Sequence, residues 1–542
     1  VTKPERFGEG RGKFGKFGKG NYIRELPAVV PVTYNDFTGG YDSSRGREGD
    51  AKASPNMTDF EVTRVGRLRR YPGTQAPAAL AGHDPYQAIQ QTNLDGLVEV
   101  IYFDPPYVGI ETNGLITWTD LNLSDIRPYA STQFGETLFF GDGAGPVYSR
   151  EPNQAPVQEA GFFQARSYAT FAARIYGLGA IIDGAFEPMG VRWTGASSDP
   201  RDVNGEGAGS ELLIADAANG DYGVAVREMG LDFVAFICRK SIWIGRRTND
   251  QFRPADLQPR LKGNGGLSDR TAVSYPGGVA YLAESGVRSF DGNNSTLISN
   301  QINGELLPLD MVRLREYKLT YDPLKNRLLL NTPVCMWIFD IEYNRWYRSS
   351  IIASDIVYPI AQEDGVTWAQ LQAAANEWNS FNRISWGELV PRAVGQADLR
   401  YLKYVAGGNS QIAIEDVTSF EQFGTEMLPQ WEVMRKDGPQ FNSLISVRAV
   451  LAEYLGNGSL RIYLPDINGN MLPVLVQDVE TSAVLRDAYI PLINTGRGSS
   501  LMIEMATGSM EISKLQQIND IRSTKYDIPP FIPREYRTDF NV

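Results

Sequence analysis

The residues able to do chemistry are few and scattered in this chain. Its single histidine, His83, sits in Ala-Gly-His-Asp-Pro, a loop context that predicts a surface or turn residue. With no second histidine, the usual zinc ligand sets are excluded and a histidine-based triad is disfavoured. Two cysteines, Cys238 in Phe-Ile-Cys and Cys335 in Val-Cys-Met-Trp-Ile, stand in apolar strand-like runs. Both read as buried free thiols, in keeping with assembly in a reducing cytoplasm. Carboxylate-only catalysis needs just two facing Asp or Glu residues, but 64 acidic residues single out no pair.

Three motif fragments test other chemistries. Gly10-Arg-Gly-Lys-Phe-Gly15-Lys16-Phe17 matches the Gly-x4-Gly-Lys core of a phosphate-binding loop. Phe17 stands where a Mg²⁺-ligating Ser or Thr is required, and no strand precedes it, so nucleotide binding is not expected. Glu363-Asp364-Gly365-Val366-Thr367-Trp368 echoes the Asp-box of sialidase-like propellers but occurs once, which reads as a turn. Asp466-Ile-Asn468-Gly-Asn470 hints at calcium ligands, yet Gln477 replaces the closing Glu and a hairpin tip is expected. No cofactor or metal is called for, and the chain reads as non-enzymatic.

The elements that would position any site are strands. Aromatics make up 11% of the chain, which favours β structure, and 54 Gly with 31 Pro supply turns. Residues 277–292 show the pattern best. Val279, Tyr281 and Ala283 alternate with Ala280 and Leu282, Gly286 gives the turn its positive φ, and the return strand ends at Phe290-Asp291-Gly292. Similar two-run units recur at Leu97 to Trp118, Pro128 to Tyr148, Ala169 to Trp193, Val224 to Ile244 and Leu319 to Trp346, with a weaker one at Asp398 to Val417. Their spacing of roughly 30 to 80 residues makes the repeat structural rather than a copied motif. The fold expected is all-β: a β-propeller-like domain, then a β-sandwich-like domain, with an extended N-terminal arm.

At 542 residues the chain exceeds one hydrophobic core. The expected organisation is a basic Gly/Lys/Phe arm at 1–24, an extended lead-in at 25–95, the propeller at 96–424, the sandwich-like domain at 425–523 and a tail at 524–542. Inside the propeller, Trp368, Leu371, Ala375 and Trp378 share a helical face, so the stretch from Thr367 to Trp386 is expected to be partly helical. Strands are expected at Leu444 to Val450, Leu460 to Leu464, Met471 to Val476 and Leu501 to Glu504. No apolar run reaches membrane-spanning length, and the N-terminus lacks a signal-peptide core. The arm carries seven basic and two acidic residues, so +5, and the net charge of −12 becomes −17 for the rest. Lys13, Phe14, Lys16, Phe17 and Lys19 pair point charges with aromatic anchors, which suits an acidic groove on a neighbouring subunit or DNA.

Phe37-Thr-Gly-Gly40, Ser54-Pro-Asn-Met-Thr-Asp-Phe60 and Gly66-Arg67-Leu68-Arg69-Arg70-Tyr71-Pro72-Gly73, in that order, resemble the opening of tail proteins of short-tailed bacteriophages. The hairpin at 277–292, preceded by Gly266-Leu-Ser-Asp-Arg270 and followed by Leu297-Ile-Ser-Asn-Gln-Ile302, is similar to a propeller blade of that family. Thr367-Trp368-x-x-Leu with Trp378 and Ser385-Trp386-x-x-Leu389 is similar to its tryptophan-spaced connection, and Trp431 with Arg497-Gly498 to its closing domain. The resemblance implies a tail hub or nozzle protein: a ring, expected to be a hexamer, below a portal and adaptor ring, contacting tail fibres or spikes and passing viral DNA without sequence-specific binding. It implies a virion location after assembly in the host cytoplasm, and no catalytic residues. The long Gly-Lys-Phe arm and the irregular first blades depart from the family pattern. A carbohydrate-active or carbohydrate-binding propeller, either a capsule depolymerase or a receptor-binding protein, is the alternative.

Overall fold

The computed structural model describes residues 29–357, 402–432 and 443–523 apart from short interruptions. It is almost entirely β, and its centre is a six-bladed propeller arrangement. Blade one is the meander Gln87–Thr92, Val98–Asp104, Tyr107–Thr112 and Leu115–Asp120, paired antiparallel throughout. The inner strands of the next five blades are Ala130–Phe134, Ala165–Phe171, Gly223–Glu228, Ala272–Tyr275 and Lys318–Asp322. A composite sheet closes the circle between blade six and blade one. Asp355–Val357, Lys403–Ala406 and Gln411–Asp416 come from late in the chain, while Ala78–Ala79 and Gly73–Thr74 come from its beginning. Ring closure therefore ties two distant parts of the chain together by strand pairing, a device that leaves no open edge between first and last blade.

Each pair of neighbouring blades shares its own apolar core. Phe103, Tyr129 and Phe140 pack between blades one and two, Tyr176, Trp193 and Phe236 between three and four, and Ala225, Ile237, Tyr281 and Phe290 between four and five. In blade five Val279 pairs with Phe290 and Ala283 with Gly286, the register read from the alternation. Gly278 is required there: at φ +127° a Cβ would lie 2.1 Å from the Phe290 carbonyl oxygen.

The paired runs seen in the sequence fall within these blades, on the two middle strands at Val279 to Phe290 and from the inner strand onward at Pro128, Val224 and Leu319. Their partners were less visible. Blade one starts at Gln87, inside the stretch read as lead-in, because Gln87–Thr92 is a polar sequence that is held by pairing with Val98–Phe103.

The C-terminal region is antiparallel β, as expected, but its strands are fewer and longer. Ser443–Pro465, Met471–Pro491 and Met502–Ser523 form one ribbon in which the first strand lies between the other two. The runs Leu444 to Val450 and Leu460 to Leu464 belong to a single strand. At Gly456-Asn457-Gly458, between the two runs, the pairing register shifts while the strand continues. This ribbon is continuous with blade six through Met57–Thr58 and Gln430–Glu432, making one sheet of fourteen strands.

Candidate functional site

Three places concentrate charge or unusual packing: the propeller axis, a cavity on one end of it, and the joint with the ribbon. At the axis, Asp355 opens the inner strand of the composite sheet and is fully buried. It lies 3.3 Å from Arg270 Nη2 and 3.5 Å from Lys318 Nζ, and it accepts the Ala88 N–H at 3.0 Å. Arg270, also buried, donates to the carbonyls of Tyr86, Arg315 and Ser354. Burial pushes the Lys318 ammonium below the usual lysine range, Asp355 opposes this, and Arg270 reinforces it. A second knot joins blades three, four and five: Arg227 Nη1 and the Ser167 hydroxyl both donate to Asp269, and Ser167 Oγ accepts the Val226 N–H. Buried charges of this kind are held by mutual pairing, and their directional bonds fix how the blades are seated around the axis. Charged side chains at the starts of neighbouring inner strands are thus tied to one another.

The cavity, about 600 Å³, opens over the inner-strand entrances of blades two to five. Asp142, Arg166, Asp221, Tyr222, Ser268 and Asp269 line it.

The joint brings together the opening segments of the phage-tail resemblance and Trp431. Trp431 is buried against Phe37 and Tyr34, with ring centroids at 5.2 and 5.8 Å, and pairs with Met57 across the sheet. Gly40, at φ +64°, has no room for a Cβ, which would sit 2.7 Å from the Trp346 carbonyl oxygen of blade six. Asp59 accepts the Ser349 hydroxyl at 2.9 Å and both the N–H and the hydroxyl of Ser350 at 2.7 Å. Burial pushes the Asp59 carboxyl up in spite of these bonds. Glu61, fully enclosed, accepts Arg327 Nη1 of blade six at 2.7 Å and two nitrogens of Arg69. Burial alone would raise the Glu61 carboxyl, but Arg327, Lys325 and Arg69 outweigh it and hold it at about 2. Arg67 reaches Glu511 of the ribbon at 3.3 Å, and Arg70 donates to the Met427 carbonyl at 2.6 Å.

The arm residues Lys13, Phe14, Lys16, Phe17 and Lys19 lie outside the described residues. So do the phosphate-loop fragment, residues 363–368, the stretch from Thr367 to Trp386, the Asp466 to Asn470 segment and Arg497-Gly498. His83 is in a turn, as expected, yet its ring is engaged: it stacks on Trp118 at 3.9 Å, and Nδ1 lies 2.9 Å from Asp104 Oδ2. Cys238 and Cys335 are buried free thiols, and burial pushes both upward in pKa. Among the described residues, no three His, Cys, Asp or Glu side chains are grouped to hold a metal ion, and no helix is long and apolar enough to cross a membrane. Ser268, Asp269 and Arg270 stand in the segment Gly266 to Arg270 quoted for the phage-tail resemblance; Lys318, Asp355, Asp142, Arg166, Asp221 and Tyr222 were not singled out from sequence, and the signal of Lys318 and Asp355 is a charge at the start of an inner strand.

The class defined by this geometry is a β-propeller protein with an antiparallel ribbon built onto its last full blade. No protein-family model matches the chain, and no curated protein matches it. Among solved structures it is similar to a catalytically inactive virginiamycin B lyase from Staphylococcus aureus with quinupristin, at 10% identity over 63% of this chain and 98% of that one, with a TM-score of 0.39. It is also similar to BBS1N in complex with ARL6DN (8% identity, 68% and 100% covered, TM-score 0.38) and to the dihydro-heme d1 dehydrogenase NirN (11%, 79% and 82%, TM-score 0.33). Likenesses of this size say nothing about what the chain does.

Proposed function

We propose that the chain is a structural protein of a tailed-bacteriophage virion, a nozzle- or hub-ring component below a portal–adaptor complex. The observation that carries this reading is the joint. Phe37, Gly40, Met57, Asp59, Phe60, Arg67 to Tyr71 and Trp431, which are among the residues of the phage-tail resemblance, meet in one platform between blade six and the ribbon. Such a platform suits a subunit that transmits force between two halves rather than one that turns over a substrate. In this reading the copies form a ring, expected to be a hexamer, on the adaptor and carry fibres or spikes outside. In this reading the DNA path runs through the ring, between copies. A body of net charge −17 without its arm would let phosphates slide rather than bind, with screening over about 8 Å at physiological salt.

Premature rings would consume the surfaces meant for the adaptor, so the isolated chain is expected to be a monomer that oligomerises only on a preformed ring. Light scattering of the purified protein checks this. A tight hexamer at sub-micromolar concentration without a partner contradicts it.

A further inference from the structure

Asn331 ends the second strand of blade six, Arg327–Asn331, and is 1% exposed. Among the described residues it is the one asparagine so enclosed. Both polar atoms of its amide, Nδ2 and Oδ1, are buried and have no hydrogen-bond partner. An amide left unpaired in this setting costs free energy, and native structures seldom keep one without a use.

The residue facing it supplies a use. Lys318, the first residue of Lys318–Asp322, stands directly opposite Asn331 in the antiparallel pair. Residues so opposed project from the same face with Cβ atoms about 4.5–5.5 Å apart, a gap that the four-bond stem of a lysine spans. The Lys318 amine lies 3.5 Å from Oδ1 of the enclosed Asp355. Desolvation pushes its ammonium below the usual lysine range; Asp355 opposes this and Arg270 adds to it. A lysine that is desolvated and set near another cation is the kind that serves as a nucleophile. On the other side of Asn331 in the sheet, its partner Met336 is fully buried, so the amide carbon is closed to water. An amine, a base for its proton and an unpartnered carboxamide are thus grouped about the start of one strand pair. The Lys318 side chain remains 21% exposed, which leaves a small product a way out.

We propose that Lys318 and Asn331 join in an intramolecular isopeptide bond, with Asp355 handling the proton. Asp355 takes one proton from the Lys318 ammonium, and the neutral Nζ attacks Cγ of Asn331. The Nζ–Cγ bond forms and the Cγ–Nδ2 bond breaks. The departing nitrogen leaves as ammonium, having gained one hydrogen from Nζ and the one that Asp355 returns. Nothing is oxidised or reduced, and no co-reactant is consumed. Asp355 keeps Arg270 and the Ala88 N–H as partners afterwards. The bond closes the hairpin of residues 318–331 covalently, in the blade whose sheet continues into the ribbon. This chemistry does not depend on the chain's place in a ring.

Mass spectrometry of the full chain under denaturing conditions tests it. The wild type should be lighter than its sequence by one ammonia. Tryptic digestion should leave a branched peptide joining the segments around Lys318 and Asn331, with no cleavage after Lys318. Lys318→Arg keeps a cation beside Asp355 but offers no attacking amine, and Asn331→Ala removes the target carbon; each should restore the full sequence mass. A wild type of full sequence mass overturns the proposal, as does ordinary cleavage after Lys318. So does a deficit that persists in Lys318→Arg, which would assign the lost ammonia to a succinimide at an Asn-Gly step such as Asn204-Gly205.

Discussion

Replacing Glu61 by Gln should destabilise the protein by about 3–5 kcal/mol at neutral pH, the range for breaking a buried ion pair from one side. The substitution keeps the shape but leaves Arg327 of blade six facing an amide in a site where the carboxylate is about 1% exposed. The same residue should govern the acid limb of stability. Its carboxyl is held at about 2 against an ordinary 4.5. A group whose folded pKa is depressed contributes stability that is fully present above its unfolded pKa. That contribution is lost as pH falls from about 4.5 towards 2 and amounts to about 3 kcal/mol for a shift of this size. Denaturant midpoints at pH 7 and at pH 3 for the wild type and Glu61→Gln check both statements. The wild type should lose more than the variant on acidification. Equal losses, or a variant as stable as the wild type at pH 7, would show that the ion pair does not anchor the lead-in to blade six.

Trp431→Ala should cost about 3–5 kcal/mol, as large aromatic truncations in tight cores do. The effect should also be local. Trp431 belongs to the core shared by the N-terminal strands, blades five and six and the ribbon, whereas blades three and four have a separate core built on Tyr176, Trp193 and Phe236. Hydrogen exchange should therefore accelerate in Phe60–Val62, Leu68–Arg70 and Met502–Ser523, with protection retained in Ala165–Phe171 and Gly223–Glu228. Uniform acceleration across the chain would mean that the joint and the distant blades unfold as one unit.

The propeller was legible because its middle strands are apolar runs, as at Val279 to Ala283, where burial of both faces keeps every side chain apolar. The strands that were missed are those whose side chains carry no such signal. Gln87–Thr92 is a polar inner strand, and Ala78–Ala79 and Gly73–Thr74 are two-residue pieces whose pairing with Gln411–Asp416 depends on contacts more than 300 residues apart in sequence. Leu444 to Val450 and Leu460 to Leu464 read as separate strands because glycine and polar residues interrupt the apolar pattern between them, and only pairing on both sides makes them one strand. The axial charges followed the same rule. Arg270 and Asp355 are ordinary in sequence and become a pair only when the ring closes.

The most direct test of the ring reading is to locate the chain in an assembled particle by electron microscopy, using a tag or antibody against the ribbon. The expected result is a closed ring of copies beneath the portal and adaptor, with a central passage between subunits. Finding the protein off the particle axis as isolated spikes, or free of particles with measurable glycan cleavage, would contradict it.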